Sequence, residues 1–144
     1  MKILFLIFTL LISLNAAKID NFAKSASYYR DYNLALANAQ KQHKILMLVL
    51  VADFCPWCKK FERKSLEDSS IDKLVKENFI PIIVDSYRDK QKYPKKYFTK
   101  KLPTVYFIDS NTKKVLNKSE LYVKKSHFRT AIEETISRYK ESKK

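Results

Sequence analysis

Glycine is absent from all 144 residues. That excludes the glycine-rich loops that cradle phosphates, both the P-loop and the dinucleotide-binding fingerprint. Cysteine occurs only at positions 55 and 58, too few for a multi-disulfide scaffold. Acidic residues are scarce beside basic ones: 15 Asp and Glu against 29 Lys and Arg leave a formal net charge of +14. Such a surplus attracts acidic partners, anionic membranes or nucleic acid over long range, and says little about fold. Hydrophobic residues make up 46% of the chain and aromatics 13%, enough for one packed core, so disorder does not describe the whole.

The first 17 residues have the parts of a secretory signal peptide. Lys2 is followed by the 12-residue apolar stretch Ile3 to Leu14 and then by Asn15-Ala16-Ala17. A spanning helix needs roughly 20 apolar residues, so the stretch is short for a permanent anchor. No cysteine follows it to carry a lipid. The expected division is a signal peptide over 1–17 and one domain over 18–144. Export places the two thiols in an oxidising compartment.

Past Ala17 there is no repeat, linker or composition break. A helix is expected over 31–44, capped by Asp31 or Asn33. Ile45 to Val51 is a run of seven apolar residues, read as a strand buried on both faces. Pro56 suits the first position of a helix running to about Glu67. A second helix fits 69–78, with Asp68 or Ser69 as cap and Ile71, Leu74 and Val75 facing inward. Strands are expected over 79–84 and 104–108, and a returning edge strand over 113–116. The basic segment 86–101 reads as a loop with a short helix. A final helix starts near Ser126, with Phe128, Ile132, Ile136 and Tyr139 on one face.

The chemistry concentrates at Cys55-Pro56-Trp57-Cys58. Two thiols at this spacing on a helix start can close a small disulfide ring. The first faces the unpaired N–H groups of the first turn, where the dipole favours negative charge. In such motifs the thiol pKa falls from about 8.5 to roughly 3.5–7.5, giving the thiolate that attacks disulfides. Cys55 is assigned as nucleophile and Cys58 as the resolving thiol. A lone pair of this spacing also serves as half of a zinc site or as an inert staple. Zinc generally needs four ligands, and His43 and His127 stand at no ligand-like spacing to the pair. Trp57 reads equally as an apolar lid or as part of a substrate-docking surface. Asn117-Lys118-Ser119 matches a glycosylation acceptor, a three-residue pattern of low specificity.

Phe54-Cys55-Pro56-Trp57-Cys58-Lys59 after a buried strand, with Leu102-Pro103-Thr104 before another, resembles the thioredoxin superfamily. The chain is most similar to its exported members, in which a helix ending in Lys precedes the strand (here Ala35 to Lys44) and Asn78-Phe79-Ile80-Pro81 follows the active-site helix. The resemblance spans about residues 31–140 and implies an α/β thioredoxin-like fold, a central mixed β-sheet with helices on both faces. It implies a cis bond before Pro103, with Pro103 packed beside the disulfide and Leu102 offering its backbone to the substrate chain. Pro56 and Trp57 then belong to the substrate-binding surface. Implied partners are proteins bearing thiols or disulfides and a membrane-embedded redox protein, in the periplasm. No cofactor, metal or nucleic acid is expected, and the chain is expected to be monomeric. Two departures stand out. Val49 occupies the place where many cytosolic thioredoxins carry a buried aspartate, and Pro56-Trp57 differs from their Gly-Pro. Reductase, oxidase and isomerase directions therefore stay open, with a mild preference for the first. A binding module of the same fold, whose cysteines hold a metal ion or a partner protein without redox turnover, is the alternative.

Overall fold

The computed structural model describes residues 18–144. The expected signal peptide, 1–17, lies outside them. Four strands form one mixed sheet: β1 (Ile45–Val51), β2 (Phe79–Asp85), β3 (Thr104–Ile108) and β4 (Val115–Glu120), in the spatial order β2-β1-β3-β4. β1 runs parallel to β2 and antiparallel to β3, and β4 returns antiparallel to β3. Among the described residues, five α-helices cover the sheet: α1 (Lys18–Ala26), α2 (Tyr32–Lys41), α3 (Pro56–Phe61), α4 (Ser69–Asn78) and α5 (Lys125–Glu141).

β1 is the reason for two cores. All seven of its residues are buried, and alternate side chains point to opposite faces. Ile45, Met47, Val49 and Val51 meet α1, α3, α4 and α5 on one side, while Leu46, Leu48 and Leu50 meet α2, Tyr93 and Tyr97 on the other. Helices on both faces are thus the only way this strand can be kept from water. Pro81 in β2 lies opposite Met47, and its carbonyl accepts the Tyr29 N–H at 2.9 Å. Tyr29 in turn accepts the Ile83 N–H at 3.0 Å, so a single residue closes the outer edge of β2.

Without glycine, helix stops fall on other residues. α2 is capped by Asp31, whose carboxylate accepts the Leu34 N–H at 2.7 Å. It ends at Lys41, three residues short of the expected boundary. The Lys44 N–H reaches Ala39 O and the His43 N–H reaches Gln40 O, the paired bonds of a Schellman stop. His43 occupies the left-handed position (φ 53°), where glycine is usual. Ser27 (φ 58°) ends α1 in the same way. α1 itself was not anticipated; it buries Ile19, Phe22 and Ala23. β4 also differs from expectation. Lys113 takes φ 60° in the turn, so the strand begins at Val115 and runs through the polar Asn117-Lys118-Ser119 to Glu120. As an edge strand it has one free side, and polar residues there cost little.

Candidate active site

β1 delivers the chain directly to the cysteines. Cys55 is the N-cap of α3 and Pro56 its first residue, whose missing N–H is unneeded there. Beyond Phe61 the helix widens into a π-helical turn over Glu62–Leu66 and continues to the place where the sequence put its end. Cys55 and Cys58 are joined by a disulfide with their Cα atoms 5.2 Å apart. The two sulfurs sit in different surroundings. Cys55 is half-buried, and its Sγ accepts the Cys58 N–H at 3.2 Å. Cys58 is fully buried in the core cluster with Phe61 and Phe128.

The other expected site residues fall into two groups. Pro56 and Trp57 are exposed, whereas Leu102 is half-buried and Pro103 buried, with the Leu102–Pro103 bond cis. Trp57 and Leu102 share a groove of about 250 Å³ with Leu121 and Tyr122. The Trp57 and Tyr122 rings lie 5.4 Å apart, and the Lys60 ammonium sits 4.8 Å from one and 4.7 Å from the other. Val49 is buried between Ile83 and Val105. Asn117 of the glycosylation-like triplet donates its amide to the Ala131 carbonyl at 3.2 Å, which ties β4 to α5.

Several residues of the site escaped sequence reasoning. Glu62 lies one turn after Cys58 on the same helix; its backbone N–H donates to the Cys58 carbonyl. Its carboxyl is buried 3.1 Å from the Lys59 ammonium. Burial raises its pKa, and Lys59 only partly offsets that rise. The signal was its helical spacing from Cys58.

Asp53, two residues before Cys55, braces the loop. It accepts the Ile19 N–H of α1 at 3.2 Å and pairs with Arg88 at 2.8 Å. Its own N–H donates to Asp85 at 3.2 Å. Behind it, Asp89 accepts the Asp85 N–H at 2.9 Å and holds Arg30 at 2.8 Å. Arg30 also pairs with Asp20 of α1 at 2.7 Å. Phe54, the residue before Cys55, is 74% exposed and has its ring 5.6 Å from that of Tyr87. A charged residue just after a buried strand was the available clue to Asp53; its partners are too distant in sequence to be seen.

The family described as "Thioredoxin-like domain" matches residues 32–136. No curated protein matches the chain. Among solved structures, a thioredoxin from Thermus thermophilus is similar at a TM-score of 0.71 and 18% identity, covering 81% of this chain and 92% of that one. A DsbH oxidoreductase is similar at 0.65 and 20%, covering 76% and 83%. The oxidised C-terminal domain of DsbD from Neisseria meningitidis is similar at 0.53 and 25%, covering 79% and 97%.

Proposed function

We propose that this chain, which belongs to the thioredoxin-like family, is an exported thiol:disulfide oxidoreductase. It acts on protein disulfides in the periplasm, in the reducing direction. The observation that carries the reading is the asymmetry of the pair, with Cys55 open and accepting an N–H bond and Cys58 buried beneath it.

In the reduced protein, Cys55 is the thiolate. The Cys58 N–H and the start of the helix stabilise its charge where it develops. It attacks one sulfur of a substrate disulfide, the second substrate sulfur leaves as a thiolate, and a mixed disulfide through Cys55 results. Cys58 then gives up its proton and attacks Cys55 Sγ. The substrate's remaining sulfur departs as a thiol, so that the substrate as a whole has gained two electrons, and the Cys55–Cys58 bond closes. Val49 cannot take the Cys58 proton. Glu62, one helical turn away with its pKa raised by burial, takes over that task in this reading. Leu102 lends its backbone to the substrate strand, with Pro103 beside the sulfurs and Pro56 and Trp57 against the incoming chain. A membrane-embedded redox protein returns the electrons.

Insulin provides the direct test. At micromolar concentration the protein is expected to accelerate dithiothreitol-driven insulin reduction, read by turbidity of the freed B chain, at least tenfold over dithiothreitol alone. A protein whose disulfide dithiothreitol opens, yet which leaves the insulin rate unchanged, would refute the reading.

A further inference from the structure

We propose that the basic segment between β2 and β3 carries a second substrate contact, a subsite for an acidic stretch of the polypeptide whose disulfide lies at Cys55. The proposal deepens the oxidoreductase reading and rests on it for the position of the reacting sulfur.

The path starts at Phe54, the residue before Cys55. Its ring is 5.6 Å from that of Tyr87, which is 6.0 Å from that of Phe98 in an edge-on arrangement. All three are exposed, Phe54 by 74% and the other two by about half as much. At Phe98 the surface opens into a groove of about 310 Å³, lined by Lys90, Gln91 and Lys95. An exposed apolar track leading from a reactive centre into a cationic groove is unusual for a surface with no ligand to meet.

The charge of the segment is unbalanced from within. Seven cations lie between Arg88 and Lys101, against one carboxylate, Asp89. Asp89 is buried and committed to Arg30 and the Asp85 N–H. Arg88 is taken by Asp53, Lys92 by Asp89 and Lys101 by Glu120. Lys90 and Lys95 have no carboxylate partner among the described residues. The segment that carries them rests on an ordered base. The Tyr93 hydroxyl donates to Ser86 O at 2.8 Å, Ser86 Oγ donates to Thr99 O at 2.7 Å, and Tyr97 is buried against Tyr32 and Tyr106. Two ammonium groups lining one groove repel each other until an anion arrives. Carboxylates meet that need, Gln91 offers amide donors beside them, and Phe98 covers an aliphatic stem. At about 3.3 Å per extended residue, the acidic side chains fall about four residues from the reacting cysteine.

The test uses two twelve-residue peptides with one cysteine each, carried as the mixed disulfide with 5-thio-2-nitrobenzoate. One has glutamates three to five residues from the cysteine; the other has glutamines there. The reduced protein attacks the peptide sulfur and releases the coloured thiolate, which is followed by absorbance. The glutamate peptide is expected to react about tenfold faster at low salt, the contribution of two exposed ion pairs, and the preference to vanish at 0.5 M NaCl. Lys90→Glu with Lys95→Glu is expected to remove the preference and leave the glutamine peptide within twofold. The equal charge change Lys140→Glu with Lys143→Glu is expected to retain it. Equal rates for the two peptides, or an equal loss in the remote variant, would overturn the subsite.

Cysteine-to-serine versions of both peptides, measured by anisotropy against the oxidised protein, decide the subsite without exchange. If neither thiolated peptide reacts, the oxidoreductase reading fails while these binding curves still judge the groove. Binding to phosphatidylglycerol vesicles that depends on Lys90 and Lys95, with no preference between peptides, would assign the groove to a membrane surface and overturn the proposal.

Discussion

Cys58→Ser is expected to turn the protein into a trap: incubated with disulfide-bearing proteins, it accumulates covalent adducts through Cys55 that dithiothreitol releases. Cys55→Ser is expected to form few adducts, because its remaining thiol has no exposed surface. Both substitutions lower multiple-turnover insulin reduction on the order of a thousandfold or more, since a full cycle needs both the attack by Cys55 and the resolution by Cys58. Non-reducing electrophoresis with mass spectrometry of the adducts distinguishes the two. The direction of the asymmetry carries the assignment. Cys55 accepts the Cys58 N–H at 3.2 Å at the open end of the helix, and Cys58 is packed beneath it. Adducts through Cys58 in excess of those through Cys55 would reverse the roles.

The second large effect is on stability, at Asp89. Its side chain is 1% exposed and binds both Arg30 and the Asp85 N–H. Asp89→Ala leaves that N–H without its acceptor and a three-quarters-buried guanidinium without its main partner. The expected loss is about 3 kcal/mol, at the low end for broken buried pairs because Arg30 retains Asp20 and some water. For a domain of this size that lowers Tm by roughly 10 °C. Burial opposes the Asp89 charge, but the Asp85 N–H and Arg30 outweigh it and hold the carboxyl below its ordinary pKa. The sign follows. A depressed folded-state pKa contributes stability above the unfolded value, near 4, and that stability is lost as pH falls through the folded value. Acid unfolding of the wild type below about pH 4 should therefore be steeper than that of Asp89→Asn, which keeps an acceptor but no charge. Urea midpoints at pH 7 and pH 3.5 check both statements. The bridge is more than a local matter, because Asp85 and Arg88 pass it to Asp53 and so to the loop that carries Cys55.

Strands β1, β2 and β3 were legible because each is apolar on both faces, a pattern that only a covered sheet explains. The helix after Pro56 and the cap at Asp68 were legible from their start residues; Asp68 Oδ1 accepts the Ser70 N–H at 3.1 Å. The ends were harder. With no glycine in the chain, His43 and Lys113 take left-handed conformations that nothing in their identity announces. α1 was missed although Ile19, Phe22 and Ala23 recur at helical spacing, and its importance comes from a distant contact, Ile19 N–H to Asp53. The π-helical turn after Phe61 buries Glu62, Ser65 and Leu66, and no local signal in the sequence marks it. At the site, spacing singled out the two cysteines but left a zinc half-site or an inert staple open, and the fold joins them in a disulfide. Trp57 was seen, but its partner Tyr122 and the bridging Lys60 needed the fold, since 65 residues of chain separate the two rings.

The reduction potential of the Cys55–Cys58 couple bears most directly on the central claim. Trp57 is the sole tryptophan and lies two residues from Cys55, so its fluorescence can report the redox state during equilibration in glutathione and dithiothreitol buffers. The account predicts a reversible two-electron transition with a midpoint between about −120 and −270 mV, toward the lower end for a reductase. A bond that stays closed to below about −300 mV, as inert structural disulfides do, would contradict it.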